Sequence, residues 1–316
     1  MTEKEYDQRV AVILPAYNEE DAIALTIKDF SNFLPNARYF LIDNNCTDKT
    51  VEKAAEAAQD LNLSFMVIRE ALRGKGNAIR KAFVQIDADL FVVVDADFTY
   101  PAEFVPKMIE KINLEGFSMV VGDRLTGGSY LLQNTRRLHN FGNNLITQAI
   151  NVLFKANVKD VLSGYRVMTR DFVKNLPILG QGFELETEIT IHALDKRFSL
   201  YEYPIDYRAR PVGSFSKLNT FRDGTRVIRT VIRIFRDYKP LKFFMYIAAI
   251  PALTGLLAGL RPIMDYIETR YVTHVPLAIL SAALEICALL IVAIGIILQN
   301  LSNTERRLSE LARLRS

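Results

Sequence analysis

The chain is poor in the residues that disulfides and soft metals require. Its 316 residues include two cysteines and three histidines. Cys46 lies in a polar stretch and Cys287 in a long apolar run, and neither has metal-site spacing, so a disulfide framework and a cysteine-ligated metal are both excluded. Met1 to Val10 has no apolar core of the signal-peptide kind, so the soluble part is expected to stay in the cytosol. The amino-terminal half has no internal repeat and no low-complexity linker.

Hydrophobic residues are plentiful, at 50% of the chain, but unevenly spread. Phe243 to Leu260 contains no charge, and Val275 to Leu301 contains only Glu285. Both stretches reach the length a bilayer crossing requires. Arg229, Arg233, Arg236, Lys239 and Lys242 precede the first stretch and Arg306, Arg307, Arg313 and Arg315 follow the second, whereas the connecting loop carries only Arg261 and Arg270. The excess of positive charge predicts a multi-pass protein of the cytoplasmic membrane, a hairpin with the soluble domain and both termini on the cytoplasmic side. The expected organisation is a catalytic domain over 1–217, an amphipathic helix over 218–240 and a hairpin with its tail over 241–316. In the helix, Arg222, Arg226, Arg229, Arg233 and Arg236 form one stripe and Val227, Ile228, Val231, Ile232 and Phe235 another. That pattern suits an anionic lipid surface rather than nucleic acid.

The soluble part is organised around Phe91-Val92-Val93-Val94-Asp95-Ala96-Asp97. Four apolar residues without alternation predict a central parallel strand, buried on both faces, that delivers two carboxylates to its carboxyl end. Ligands in open α/β sheets gather there. Paired carboxylates repel unless a cation lies between them, and oxygen ligands without nearby His or Cys point to Mg²⁺ or Mn²⁺.

Around this strand, β and α patterns alternate. Strands are expected at Val10–Leu14, Tyr39–Ile42, Phe65–Ile68 and Met119–Asp123, with helices over Ala22–Phe33, Ala78–Ile86, Pro101–Ile112, Asn134–Phe154 and Glu184–Leu194, and two short strands within Leu200–Tyr207. Another helix follows Thr47, its expected cap. The fold class is α/β, a doubly wound and mostly parallel Rossmann-like sheet. Arg73-Gly74-Lys75-Gly76-Asn77 is a basic glycine turn, and Asp160 to Arg166 is a turn bearing both an acid and a base.

As a set, Val12-Ile13-Leu14-Pro15-Ala16-Tyr17-Asn18-Glu19, Asp43-Asn44-Asn45-Cys46-Thr47-Asp48, Gly74-Lys75-Gly76, Asp95-Ala96-Asp97, Ser163-Gly164-Tyr165-Arg166 and Ser216-Lys217 resemble the inverting family 2 glycosyltransferases of the GT-A fold, in the branch of dolichyl-phosphate mannose synthase and bacterial polyprenyl-phosphate glycosyltransferases. The resemblance covers nearly the whole chain. It implies that Pro15, Tyr17, Asn18, Glu19 and Asp43 hold the donor base and ribose and that Asp95 and Asp97 bind the metal on the donor diphosphate; Lys75, Asp95 and Lys217 complete the expected donor-binding set. It also places an acid near Asp160 at the reaction centre, although a structural role capping the Ser163 turn fits Asp160 equally. The second motif of that family often reads Asp-Asp-Gly-Ser, where Asn44-Asn45-Cys46 stands here.

The expected reaction is transfer of a sugar from a nucleotide-diphospho-sugar, UDP-hexose or UDP-N-acetylhexosamine ahead of GDP-mannose, to a polyprenyl monophosphate. Asp97, Asp160 and Arg124 are the expected catalytic residues, and Arg124, Arg136, Arg137 and Arg166 the expected clamp on acceptor phosphate, since guanidinium suits that geometry. Lys75, Arg208 or Lys217 would add positive charge at the leaving diphosphate. A processive polysaccharide synthase is the alternative enzyme, but it resembles Gln-x-x-Arg-Trp in its acceptor region and this chain has no tryptophan. A non-catalytic nucleotide-binding membrane module is the other alternative, with no reason to keep both carboxylates beside an intact basic loop. Gly255, Gly259 and Glu285 suggest a homo-oligomer packed through hairpins of different subunits, or else a Glu285 that sits protonated beside lipid or shares a hydrogen bond within its own hairpin.

Overall fold

Seven strands form one mixed sheet in the order β3-β2-β1-β4-β6-β5-β7. The computed structural model describes residues 9–127, 137–176, 185–211 and 220–313. The strands are β1 Val10–Ala16, β2 Arg38–Asp43, β3 Ser64–Arg69, β4 Leu90–Val93, β5 Met119–Asp123, β6 Arg166–Thr169 and β7 Leu200–Pro204. Helices α1 Ile23–Phe33, α2 Thr50–Asp60, α3 Lys75–Gln85, α4 Val105–Glu115, α5 Arg137–Phe154, α6 Arg170–Lys174 and α7 Leu185–Asp195 connect or follow them.

Alternate residues of the strands feed two apolar layers. Val10, Val12 and Leu14 of β1 pack with Ile23, Ile27 and Phe30 of α1 and Met108 of α4, while Ala11 and Ile13 face Ala78, Ile79 and Ala82 of α3 and Ile189 of α7. Burial on both faces is what an uninterrupted apolar strand requires. β4 sits at the centre, fully buried as expected. It is parallel to β1 and antiparallel to β6, so the strand expected to be central and parallel has one neighbour of each direction in a mixed sheet.

The antiparallel strand decides the site. Val93 pairs with Arg166, so the residues that enter β6, Ser163 and Gly164, lie beside the residues that leave β4, Asp95 among them. The stretch read as a turn bearing an acid and a base therefore ends as a strand. Only one strand, β7, occupies the region where two were expected. Thr47 does not cap α2. The Asp48 carboxylate instead accepts from the Thr50 amide at 3.1 Å, and Thr47 is bonded to Asn18.

The chain divides into two units, Met1–Val227 and Ile228–Ser316, the division falling inside helix α8, Thr220–Tyr238. Within α8, Arg229, Arg233 and Arg236 are exposed. The second unit contains α9 Pro240–Thr269 and α10 Val275–Arg313, which are longer than the apolar stretches that predicted them. At 1.5 Å per residue the 30 residues of α9 reach roughly 45 Å, beyond the apolar thickness of about 30 Å. Both helices are long and apolar enough to cross a membrane.

The hairpin packs glycine against polar side chains. A Cβ on Gly255 would lie 2.7 Å from Glu285 Oε1, and one on Gly259 would lie 2.7 Å from Ser281 Oγ, which itself donates to the Gly255 carbonyl at 2.8 Å. The glycine face expected to meet another subunit is thus covered by α10 of the same chain. At the closed end, Asp265 gathers Thr273, His274 at 2.6 Å and Arg261 at 3.5 Å.

Candidate functional site

The backbone after β4 turns so that both carboxylates are held. Phe98 adopts φ 61°, a left-handed conformation uncommon for a bulky residue and frequent at functional turns. This brings the Thr99 amide and hydroxyl back to Asp97 Oδ1, at 3.2 and 2.6 Å. Arg208 lies over the Phe98 ring at 5.0 Å and donates its amide to the Thr99 carbonyl at 2.9 Å. Asp97 is 4% exposed. Burial, followed by the charge of Asp95, raises its carboxyl above the ordinary range, while Arg210 and the Thr99 bonds oppose the rise.

Cations flank the pair. Arg210 Nη2 meets Asp97 Oδ2 at 2.5 Å, and Lys75 Nζ donates to Asp95 Oδ1 and, at 2.6 Å, to Glu186 Oε1. Burial alone would lower the Lys75 ammonium, but the two carboxylates outweigh it and raise it. Gly164 closes the other side of Asp95. A Cβ there would fall 2.6 Å from Oδ2 and 3.0 Å from Cγ, so the main chain at 164 forms a cradle that a side chain would fill. The Gly164 amide donates to the Tyr100 hydroxyl at 2.9 Å.

These oxygen donors fit a hard divalent cation, and no group of three or more His, Cys, Asp or Glu is assembled for one among the described residues. Asp95 and Asp97 would supply two ligands, leaving the other positions to water or to oxygens of a bound diphosphate.

The loops beyond β1 and β2 meet at the same end of the sheet. Pro15 pairs with Ile42 in the ladder, and Asn18, at φ 53°, accepts from the Thr47 amide at 2.8 Å. The Glu19 amide donates to Thr50 Oγ1 at 2.8 Å, and Tyr17 is partly exposed beside them. Asp43 Oδ1 accepts from the Cys46 amide at 2.9 Å. Asn45 adopts φ 68°, a conformation asparagine tolerates, in the place where glycine often stands in the resembling family. Asn44 accepts from the Gly74 amide and donates to the Leu72 carbonyl, both at 2.7 Å, which ties this loop to the basic turn. Burial pushes the Cys46 thiol up to about 11, away from the thiolate form.

Residues 11–176 match the family described as Glycosyl transferase family 2. The chain belongs to glycosyl transferase family 2. It is 30% identical to glycosyltransferase AglJ of Haloferax volcanii over 87% of each chain. It is 29% identical to a dolichyl-phosphate hexose transferase of the same organism, over 74% of this chain and 96% of that one. It is similar in fold to the glucosyl-3-phosphoglycerate synthase of Mycobacterium tuberculosis, with a TM-score of 0.58 and 19% identity over 73% of this chain and 80% of that one, in a crystal structure that holds Mn²⁺ and UDP. The fold of the family 2 chain is accordingly GT-A.

The remaining expected residues divide. Arg124 and Asp160 form a buried bidentate pair, Nε to Oδ2 at 2.7 Å and Nη2 to Oδ1 at 2.8 Å, with the Arg124 amide adding a third bond at 3.1 Å. Asp160 therefore holds Arg124 rather than capping the Ser163 turn. The Arg124 guanidinium also faces the rings of Tyr100 and Tyr207, at 6.0 and 5.7 Å. Arg166, expected at acceptor phosphate, is fully buried. It donates to the carbonyls of Ser163, Val161 and Glu186 at 2.8 to 3.0 Å, and burial lowers it to about 10. Its interior bonds take it out of the phosphate clamp. Arg208 pairs with Asp29 at 2.7 Å, and Arg210 is the arginine on the carboxylate pair. Arg136 and Lys217 lie outside the described residues, as does the side chain of Arg137. Sequence reasoning did not single out Glu186, whose only visible signal was a carboxylate in the first turn of a predicted helix.

Proposed function

We propose that this family 2 chain transfers a hexosyl or N-acetylhexosaminyl group from UDP, or mannose from GDP, to a polyprenyl monophosphate, with inversion and with Mg²⁺ or Mn²⁺ bound. The observation that carries the reading is the Asp95 and Asp97 pair at the end of β4, set between Lys75 and Arg210. Asp95 and Asp97 would hold a divalent ion at this point, and the ion would supply positive charge to the leaving diphosphate. Lys75 and Arg210 stand ready to pair with diphosphate oxygens, and Pro15, Tyr17, Asn18, Glu19 and Asp43 line the path to the nucleoside. The Asp97 turn, fixed by Thr99, keeps its carboxylate aligned without further reorganisation.

The acceptor reading is supported by the similarity to the dolichyl-phosphate hexose transferase and by the two apolar helices. A phosphate monoester is already anionic at neutral pH, so its oxygen attacks with little base catalysis and requires positioning instead. Arg124, oriented by Asp160, is the described arginine for that task, with Arg136 and Arg137 following it in sequence. The basic residues around α8 and beyond the apolar stretch of α10 favour the cytoplasmic face of the cell membrane for the catalytic unit and both termini. The test is incubation of the full chain with polyprenyl phosphate and a panel of UDP- and GDP-sugars, with and without chelator. An α-linked donor should yield a β-linked lipid phosphate by NMR coupling; an α-linked product would overturn the single displacement, and full turnover in chelator would overturn the metal.

A further inference from the structure

Lys75 is bonded by two carboxylates, and one of them has no place in the reaction described so far. Glu186 lies 111 residues from Lys75 in the chain, in the first turn of α7, with its side chain 7% exposed. Its carboxylate meets Nζ at 2.6 Å, while its carbonyl accepts from Arg166 Nη2 at 2.9 Å and from Thr190 Oγ1 at 3.0 Å. Arg166 also bonds the carbonyls of Val161 and Ser163, next to the Gly164 cradle of Asp95. One buried arginine thus ties the loop behind Asp95 to the helix turn that carries Glu186.

We infer that Glu186 is a positioning residue, which anchors the Lys75 ammonium at the edge of the Asp95 and Asp97 site so that it meets the donor diphosphate. The inference rests on the donor reading above. A carboxylate that turns to a divalent cation loosens its hold on an ammonium, and Asp95 is a candidate cation ligand. Glu186 stands outside the carboxylate pair and keeps its contact. Lys75 has four rotatable side-chain bonds, so an ammonium held by Asp95 alone would be free to swing away when Asp95 changes partner. Glu186 removes that freedom and keeps the charge where the leaving group needs it.

The experiment is a double-mutant cycle on the full chain in detergent, with Glu186→Gln, Lys75→Met and both together. UDP affinity is measured by calorimetry in chelator, and kcat and KM for the donor are measured in the transfer assay. Glu186→Gln should lower kcat about tenfold or more while leaving UDP affinity within about twofold, because the loss falls on orientation rather than on ground-state binding. In the Lys75→Met background the same change should add nothing. Glu186→Asp, which keeps the charge on a shorter arm, should recover part of the loss, and its coupling to Lys75→Met serves if Glu186→Gln fails to fold in a thermal scan. An equal penalty from Glu186→Gln with and without Lys75, or unchanged kcat, would overturn the inference while wild-type UDP binding leaves the donor reading standing. A wild-type chain that binds neither UDP nor GDP, with or without Mn²⁺, would remove both.

Discussion

The main chain of Gly164 lies against the carboxylate of Asp95 so closely that a methyl group at 164 would sit 2.6 Å from Oδ2. Real Cβ atoms do not tolerate such a contact, and the obstacle is the candidate metal ligand itself. Gly164→Ala should therefore fold but push Asp95 out of line, cutting transfer by about tenfold or more if the carboxylate must be placed to within about 0.5 Å. Weaker Mn²⁺ binding, read by calorimetry, should accompany the loss. Wild-type Mn²⁺ affinity in Gly164→Ala would show that the close approach has no bearing on the ion.

Asp97→Asn removes one charge at nearly constant volume while keeping an oxygen for Thr99. The expected result is a folded protein with almost no transfer. The unfolding temperature should remain near that of wild type, because Asn relieves the repulsion of Asp95 even as it weakens the Arg210 contact. Normal turnover by the folded variant would discard the metal role.

Arg124 and Asp160 are 7% and 1% exposed, and each is the other's bidentate partner. Replacing Asp160 with Ala strands a buried guanidinium, a change that costs about 3–5 kcal/mol in comparable pairs. Thermal unfolding followed by circular dichroism should show the drop. Arg124→Ala should impair transfer more than it weakens UDP binding. Equal losses of both would move Arg124 to the donor side.

His192 supplies a pH dependence in the soluble unit. It is buried against Phe172 and Phe198, and burial, then Lys196, lowers it to about 4 from 6.5. The unfolded state binds the proton first as the pH falls, so the stability this residue contributes is complete above about 6.5 and is lost between there and about 4. The two values correspond to about 3 kcal/mol at most. His192→Phe should flatten the slope of unfolding temperature against pH in that window, and an unchanged slope would assign the acid sensitivity to other groups.

Gly255→Leu should loosen the hairpin from within, since the added side chain meets Glu285 and Leu284 of α10. Overpacking of this kind costs about 1–3 kcal/mol. Detergent thermal stability should fall while native mass spectrometry shows the same assembly state as wild type. A wild-type oligomer that falls apart in Gly255→Leu would return these glycines to a subunit interface.

The sequence by itself determined the alternation of strands and helices, the two long apolar helices, and the delivery of Asp95 and Asp97 to the end of a buried strand. Each follows from a local pattern: apolar period, turn residues, or the length of an uncharged run. Partner choice between distant segments is not carried by any of these periods. Only the tertiary structure placed β6 antiparallel beside β4, and with it Gly164 on Asp95. It also withdrew Arg166 into the interior and brought Glu186 to Lys75, because a long charged side chain reads the same in sequence whether it ends in solvent or on a buried carbonyl. Gly255 and Gly259 teach the same lesson in the hairpin. Their spacing announced a close helix approach, and the fold of the chain back on itself chose α10 as the helix that approaches.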